Sequence, residues 1–160
     1  MTQRNQKSVT EGTDAEKHFI SLRGSNFIRK STREEDIHEH WDVLDKEFGR
    51  IDVKAAKRMF RGGDIDHTIW WELKTVNRPP DWKPKKGWGV PNGIDRLIAV
   101  RGENAFYLIR PESIIEDLRE RCTKYYRGEF GLYGREGRGD LTTILPLWYV
   151  EENAEVYLGV

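Results

Sequence analysis

A chain of 160 residues is long enough for one hydrophobic core and short for two, so a single domain is expected beyond a polar start. Its 27 basic and 27 acidic residues cancel, which excludes a surface coated in positive charge for indiscriminate nucleic-acid binding. The one cysteine, Cys122, excludes an intrachain disulfide and a cysteine-based zinc cluster.

In chain order, residues 1–12 are polar and are expected to be disordered, without the apolar core of a signal peptide. A helix is expected from about Asp14 to Arg23, carrying Phe19, Ile20 and Leu22, with Gly24 and Ser25 ending it and a short extended piece over 26–30. Two hairpin strands follow, roughly His40–Leu44 and Arg50–Lys57, around a polar turn containing Gly49. After the turn signal Arg61-Gly62-Gly63-Asp64, the β-branched and aromatic run Thr68–Val76 reads as a strand. The proline-bearing stretch 77–91 reads as a long loop. Ile94–Val100 and Ala105–Ile109 read as a strand pair, and Pro111 opens a helix to about Tyr125 with Ile114, Ile115 and Leu118 at helical spacing. From about residue 127 the chain is glycine-rich and basic, an extension ending in an apolar stretch, 141–149, that is either a strand or a packed terminal segment. Nowhere do about eighteen consecutive apolar residues occur, so no membrane span is expected. The fold class expected is α+β, a central mixed sheet flanked by helices, in one domain over 13–160.

Chemistry concentrates in Asp42 and Asp52-Val53-Lys54. On the second hairpin strand the period of two puts Asp52 and Lys54 on one face and Ile51 and Val53 on the other. Asp42 and Asp52 are hard oxygen ligands of the kind Mg²⁺ takes, the Val53 carbonyl adds a third, and Lys54 is placed to orient a water or neutralise a phosphate. The competing reading is an exposed cross-strand ion pair without catalytic use. Charge is also segregated: Arg33 to Glu47 holds seven acids and two bases, while Arg50 to Arg61 holds five bases and one acid. A cation site beside a phosphate-binding surface has that pattern, and so do two ordinary solvated faces.

Asp42, the turn and Asp52-Val53-Lys54, followed by an aromatic strand and an apolar strand pair, resemble the PD-(D/E)xK nuclease superfamily. Glu39-His40-Trp41-Asp42, Arg50 to Ala55 with Lys57-Arg58, Trp71 to Lys74, and Gly87-Trp88 ahead of Asp95 to Ala99 resemble small phage-encoded members. The similarity runs over about residues 11–118, with Trp41 standing where the motif's proline would be. It implies a restriction-endonuclease-like core, Mg²⁺ dependence with Mn²⁺ able to substitute, and DNA as substrate. It also implies a glutamate ligand from the first helix, for which Glu16 is the candidate and Glu11 the second. Thr13-x-x-Glu16 is equally a capping box, in which Glu16 closes the helix start.

Glu72-Leu73-Lys74 is a rival to Asp52-Val53-Lys54, since Glu-x-Lys on a strand also fits the motif, and Glu72 on a neighbouring strand would approach the same metal. His38 and His40, alternate residues if on a strand, would point two imidazoles one way and offer a zinc site. Lys57, Arg58, Arg61, Arg78, Lys83, Lys85 and Lys86 are the candidate nucleic-acid contacts, with Trp82 and Trp88 interleaved either to stack on bases or to pack in the core. The function expected is a Mg²⁺-dependent endonuclease acting on DNA in a reducing cytoplasm, that of the host cell for a phage protein, with a homodimer as the means of cutting both strands. The alternative is a catalytically inactive module that binds nucleic acid or a host protein.

Overall fold

The computed structural model describes residues 3–55, 68–76, 84–125, 128–134 and 139–160. Helix α1 (Gln3–Arg23) and a 3-10 turn lead into β1 (Phe27–Lys30), α2 (Arg33–Glu39), β2 (Val43–Asp45) and β3 (Gly49–Ala55). Then come β4 (Thr68–Val76), β5 (Pro84–Lys86), β6 (Arg96–Arg101), β7 (Ala105–Ile109) and α3 (Pro111–Arg121). The chain finishes with β8 (Leu132–Tyr133), β9 (Leu141–Pro146), α4 (Leu147–Asn153) and β10 (Val156–Gly159). These form an α+β fold in which the six-stranded sheet runs β1-β2-β3-β6-β7-β10 and a second sheet runs β5-β4-β9-β8.

Residues 13–160, expected as one domain, supply two compact units that alternate along the sequence. One comprises Met1–Ala55, Ile94–Arg110 and Ala154–Val160; the other comprises Ala56–Gly93 and Pro111–Asn153. In the first unit the sheet is mixed. β3 and β6 run parallel, from Arg50 opposite Arg96 to Ala55 opposite Arg101, while β1/β2, β2/β3, β6/β7 and β7/β10 are antiparallel. A strand paired in parallel at the centre of a sheet is buried on both faces and reads as an apolar run rather than an alternation; Arg96–Val100 is buried at every position. Ala15 and Phe19 of α1 pack with Val43, Ile51, Val53, Leu97, Ala99, Phe106 and Leu108 as one core cluster. That cluster takes the odd-numbered residues of β3 and leaves Asp52 and Lys54 to the opposite face.

The β2–β3 turn is built on a buried acid. Asp45, 2% exposed, accepts from the backbone N–H groups of Glu47 at 2.9 Å and Phe48 at 3.0 Å and from Arg23 Nε at 2.7 Å. Gly49 closes the turn at φ 75°, where a β-carbon is unfavourable. In the second unit, antiparallel β4 and β9 pair from Thr68 opposite Pro146 to Lys74 opposite Leu141, with a register slip between Glu72 and Lys74. Its buried residues include Ile69, Trp71, Ile114, Leu118, Ile144, Leu145 and Val150. Gly87 passes so close to β4 that a β-carbon there would lie 2.5 Å from the Glu72 carbonyl oxygen, and Trp88 sets its ring edge against Trp71 at 4.9 Å.

Several expectations are corrected. Helix α1 begins at Gln3 rather than near Asp14, so over 3–12 the expected disorder gives way to helix, and Thr13 sits in the helix interior instead of capping it. Residues 33–39 form α2, whose Thr32 side chain accepts from Glu35 N–H at 3.2 Å. Its acids Glu34, Glu35 and Asp36 complement the helix dipole. The hairpin strand expected from His40 therefore starts only at Val43. The segment beyond 127 is not an appendage. β8 and β9 belong to the second sheet, α4 follows without a break, and β10 returns to pair with β7.

Breaking the Arg23–Asp45 pair tests this hairpin. Burial raises the Asp45 pKa, but the Arg23 guanidinium and the two turn amides outweigh it and hold the carboxyl below its ordinary 3.8. A depressed acid stabilises the fold above its unfolded pKa and loses that contribution as pH falls through its folded value. Asp45→Ala is expected to cost about 3 kcal/mol in denaturant unfolding at neutral pH, with the deficit shrinking in acid.

Candidate active site

Asp42 stands between α2 and β2 and is pinned on both sides by backbone hydrogen bonds. Its N–H donates to the Ile51 carbonyl at 2.8 Å, and its carbonyl accepts from Ser31 N–H at 2.8 Å. The preceding Trp41 is 2% exposed, its indole N–H donates to Glu39 Oε2 at 2.6 Å, and the Arg29 and Arg50 guanidiniums lie over its ring at 5.2 and 6.0 Å. An anchored aromatic thus fixes the chain immediately before Asp42. Across the ladder, Asp42 Oδ2 accepts from Val53 N–H at 2.8 Å. The N–H and C=O of one strand residue point to the same side, so the Val53 carbonyl faces the flank where the Asp42 carboxyl lies.

Asp52 is 2% exposed. Its Oδ1 is 2.7 Å from Lys54 Nζ, as the period of two predicts, and its Oδ2 is 3.9 Å from Arg96 Nη1 on the parallel neighbour β6. That Oδ2 is buried with no hydrogen-bond donor. Asp42 is pushed up to about 7, chiefly by burial and then by the charge of Asp52. A hydrogen bond between the two carboxyls adds to the rise, while Lys54 and the Val53 amide oppose it. Two acids that cannot both ionise freely in a buried site share a proton, and a divalent cation can take its place.

The surroundings extend the cluster. Glu16 Oε1 pairs with Lys30 Nζ at 2.5 Å; the Lys30 pKa rises through that bond first and through the charge of Asp42 last. Asp36 of α2 also titrates high, from burial and then the charge of Asp42, with Lys54, His40 and Glu16 as lesser influences. Glu16 is therefore a mid-helix side chain that acts, as Asp42 does, on Lys30 and Asp36, not a helix-closing cap. Asp36 and Arg96 were missed in the sequence. The Thr32-x-x-Glu35 box that starts α2 was the available signal for Asp36; Arg96 reaches Asp52 only through the parallel pairing, which leaves no local pattern.

Other candidates stand apart. Glu72 and Lys74 lie on β4 of the second sheet, so β4 is not a strand neighbour of β3. The slip between them breaks the alternation that would set them on one face. Glu72 Oε1 accepts from Trp88 N–H at 3.3 Å, and Trp88 is a half-buried packing residue. His38 lies on α2, 3.2 Å from Glu34, and His40 caps that helix in the left-handed region at φ 57°, so the two imidazoles do not share a strand face. Lys85 and Lys86 are on β5. Lys57, Arg58, Arg61, Arg78, Lys83 and Trp82 lie outside the described residues, as does the Glu11 side chain.

Comparisons with protein-family models, with curated proteins and with solved structures gave no match to this chain. Among the described residues no three or more His, Cys, Asp or Glu side chains are grouped as a ready metal site. Mg²⁺ requires less, because it keeps several waters and is held through one or two carboxylates. The carboxyls of half-buried Asp42 and buried Asp52, the latter with an oxygen that no donor meets, and the Val53 carbonyl fit such an ion.

A raised carboxyl pKa has a defined sign. The folded state holds the Asp42 proton more tightly than the unfolded chain, so its contribution is full below 3.8 and is lost as pH rises through about 7. In chelator, the melting temperature is expected to fall from pH 5 to pH 8, with Asp42→Asn flattening that slope. Divalent-ion affinity, measured by calorimetry, should rise with pH up to about 7 and level above it, because the ion displaces a proton.

Proposed function

We propose that the chain is a metal-dependent nuclease that hydrolyses DNA phosphodiester bonds, an endonuclease of the kind phages encode. The observation that carries the reading is the carboxyl pair of half-buried Asp42, titrating near 7, and buried Asp52, with Lys54 on the strand face of Asp52. Asp42, Asp52 and the Val53 carbonyl would hold Mg²⁺, or Mn²⁺ in its place, with Glu16 as a further acid nearby. When bound, the ion supplies Lewis acidity at the phosphate and lowers the pKa of a coordinated water.

The remaining work falls to the chain's own groups. Asp42 gives up the shared proton when the site is loaded. Lys54 Nζ, a compact charge on a flexible stem, orients the attacking water or neutralises the scissile phosphate. Arg96 holds positive charge against Asp52 Oδ2 from below. Lys57, Arg58 and Arg61, continuing from β3 in sequence, are assigned to the DNA backbone together with Arg78, Lys83, Lys85 and Lys86. Cutting both strands needs two sites or two events, and a two-fold homodimer supplies the former. No helix among the described residues is long and apolar enough to cross a membrane, and the proposed setting is the host cytoplasm.

One observation favours a non-catalytic module that keeps the same scaffold to bind nucleic acid or a host protein: Asp52 is already engaged by Lys54 at 2.7 Å. Labelled duplex, branched and single-stranded DNA incubated with and without Mg²⁺ or Mn²⁺ separates the two. The nuclease reading expects metal-dependent cleavage that Asp52→Asn lowers by at least about a thousandfold with the far-UV spectrum unchanged. Cleavage retained in that variant, or DNA bound but left intact by the wild type, rejects it.

A further inference from the structure

A second site lies in the other unit. A cavity of about 680 Å³ opens between the four-stranded sheet and α3, walled by Leu73, Ile115, Leu118, Leu132 and Leu141. Its volume is that of a small-molecule site. Among the described residues the charged groups around it are of one sign: Lys74, Lys85, Lys86 and Arg119 line it, and no acid, amide or hydroxyl side chain does.

Two of these cations are placed at a cost. Lys74 and Lys86 are directly opposite each other in the antiparallel β4–β5 register, where like charges repel. Arg119 is paired with Glu116 on its own helix, but among the described residues neither Lys74 nor Lys86 has an acidic partner. The register slip between Glu72 and Lys74 turns successive residues, apolar Leu73 and cationic Lys74, toward the same space. Among the described residues no acid offsets the Lys74–Lys86 repulsion. An anion at the mouth of the cavity would relieve it.

We propose that this cavity binds an amphiphilic organic anion, a single carboxylate or phosphate head on an aliphatic chain, with the head between Lys74 and Lys86 and the chain against the leucine and isoleucine walls. A nucleobase is disfavoured as the body, because its ring edge would find no amide, hydroxyl or carboxylate among the described lining side chains, and an unpaired buried polar edge is costly. The proposal does not rest on the chain being a nuclease, although Lys85 and Lys86, assigned above to the DNA backbone, also line this cavity.

The chain carries its own reporter, since Cys122 lines the cavity and is the single cysteine. Dodecanoate and dodecyl phosphate, each kept below the concentration at which it forms micelles, should slow maleimide labelling of Cys122 at least about tenfold in the full chain. Both slowing the reaction assigns an anionic head of either chemistry, and one alone assigns that head. Dodecanol at equal concentration should protect far less, and inorganic phosphate not at all. The double variant Lys74→Gln, Lys86→Gln, both exposed positions, should weaken dodecanoate binding about tenfold by calorimetry while its melting temperature stays equal or rises, since a repulsion is removed. Ile115→Trp, which fills the cavity, should abolish protection. Equal protection by dodecanol, dodecanoate affinity unchanged in the lysine variant, or Cys122 protected by a short oligonucleotide or an acidic amphipathic peptide but not by dodecanoate would each overturn the proposal.

Discussion

The parallel pairing of β3 with β6 is the constraint on which the rest of the first unit depends. Parallel neighbours cannot be joined by a hairpin and need a long crossover, and here residues 56–93, which lie between them, belong to the second unit. The same pairing buries β6 on both faces, which is why it reads as a continuous apolar run. It also sets Asp52 opposite Ile98, so that Arg96, two residues earlier on the same face, stands against the Asp52 carboxylate. Core and charge cluster thus arise from one ladder: odd-numbered residues of β3 pack under α1, even-numbered ones build the site.

Two aspartates a few residues apart, Asp45 buried and Asp42 half-buried, show how environment separates structure from chemistry. Asp45 meets a guanidinium and two turn amides, titrates low and ties the hairpin to the end of α1. Asp42 meets a second carboxyl and titrates high, near 7. Burial acts on both in the same direction; the neighbour decides the outcome. The first arrangement is satisfied as it stands, while the second keeps a proton that a cation can replace.

In the second unit a single slip in register has comparable reach. Glu72-Leu73-Lys74 carries the residue types of the nuclease motif, yet the slip sends Glu72 to the Trp88 backbone and Lys74 toward the leucine-walled cavity. Period-two arguments hold only while the ladder is regular. At Asp52-Val53-Lys54 the parallel ladder with β6 is regular, and there the alternation read from the sequence holds, with Lys54 Nζ on Asp52 Oδ1.

Much was legible without coordinates. The α+β class with a mixed sheet, the strand at Thr68–Val76 and the strand pair after Ile94 follow from apolar period and turn residues, which act over a few neighbours. So does the shared face of Asp52 and Lys54. Helix α2 was legible in principle, through Thr32 and the acids behind it, but the eye is drawn there to charge instead of capping. The amino-acid sequence by itself determined these local choices, because propensity, alternation and capping are decided within a turn or a strand. Tertiary structure alone decided that β3 and β6 run parallel, that the chain alternates between two units, that Arg96 and Asp36 join Asp42 and Asp52, and that Lys74 faces Lys86. Those outcomes depend on pairings between residues far apart in the chain, whose energies are set by burial and by the charge of whatever neighbour arrives.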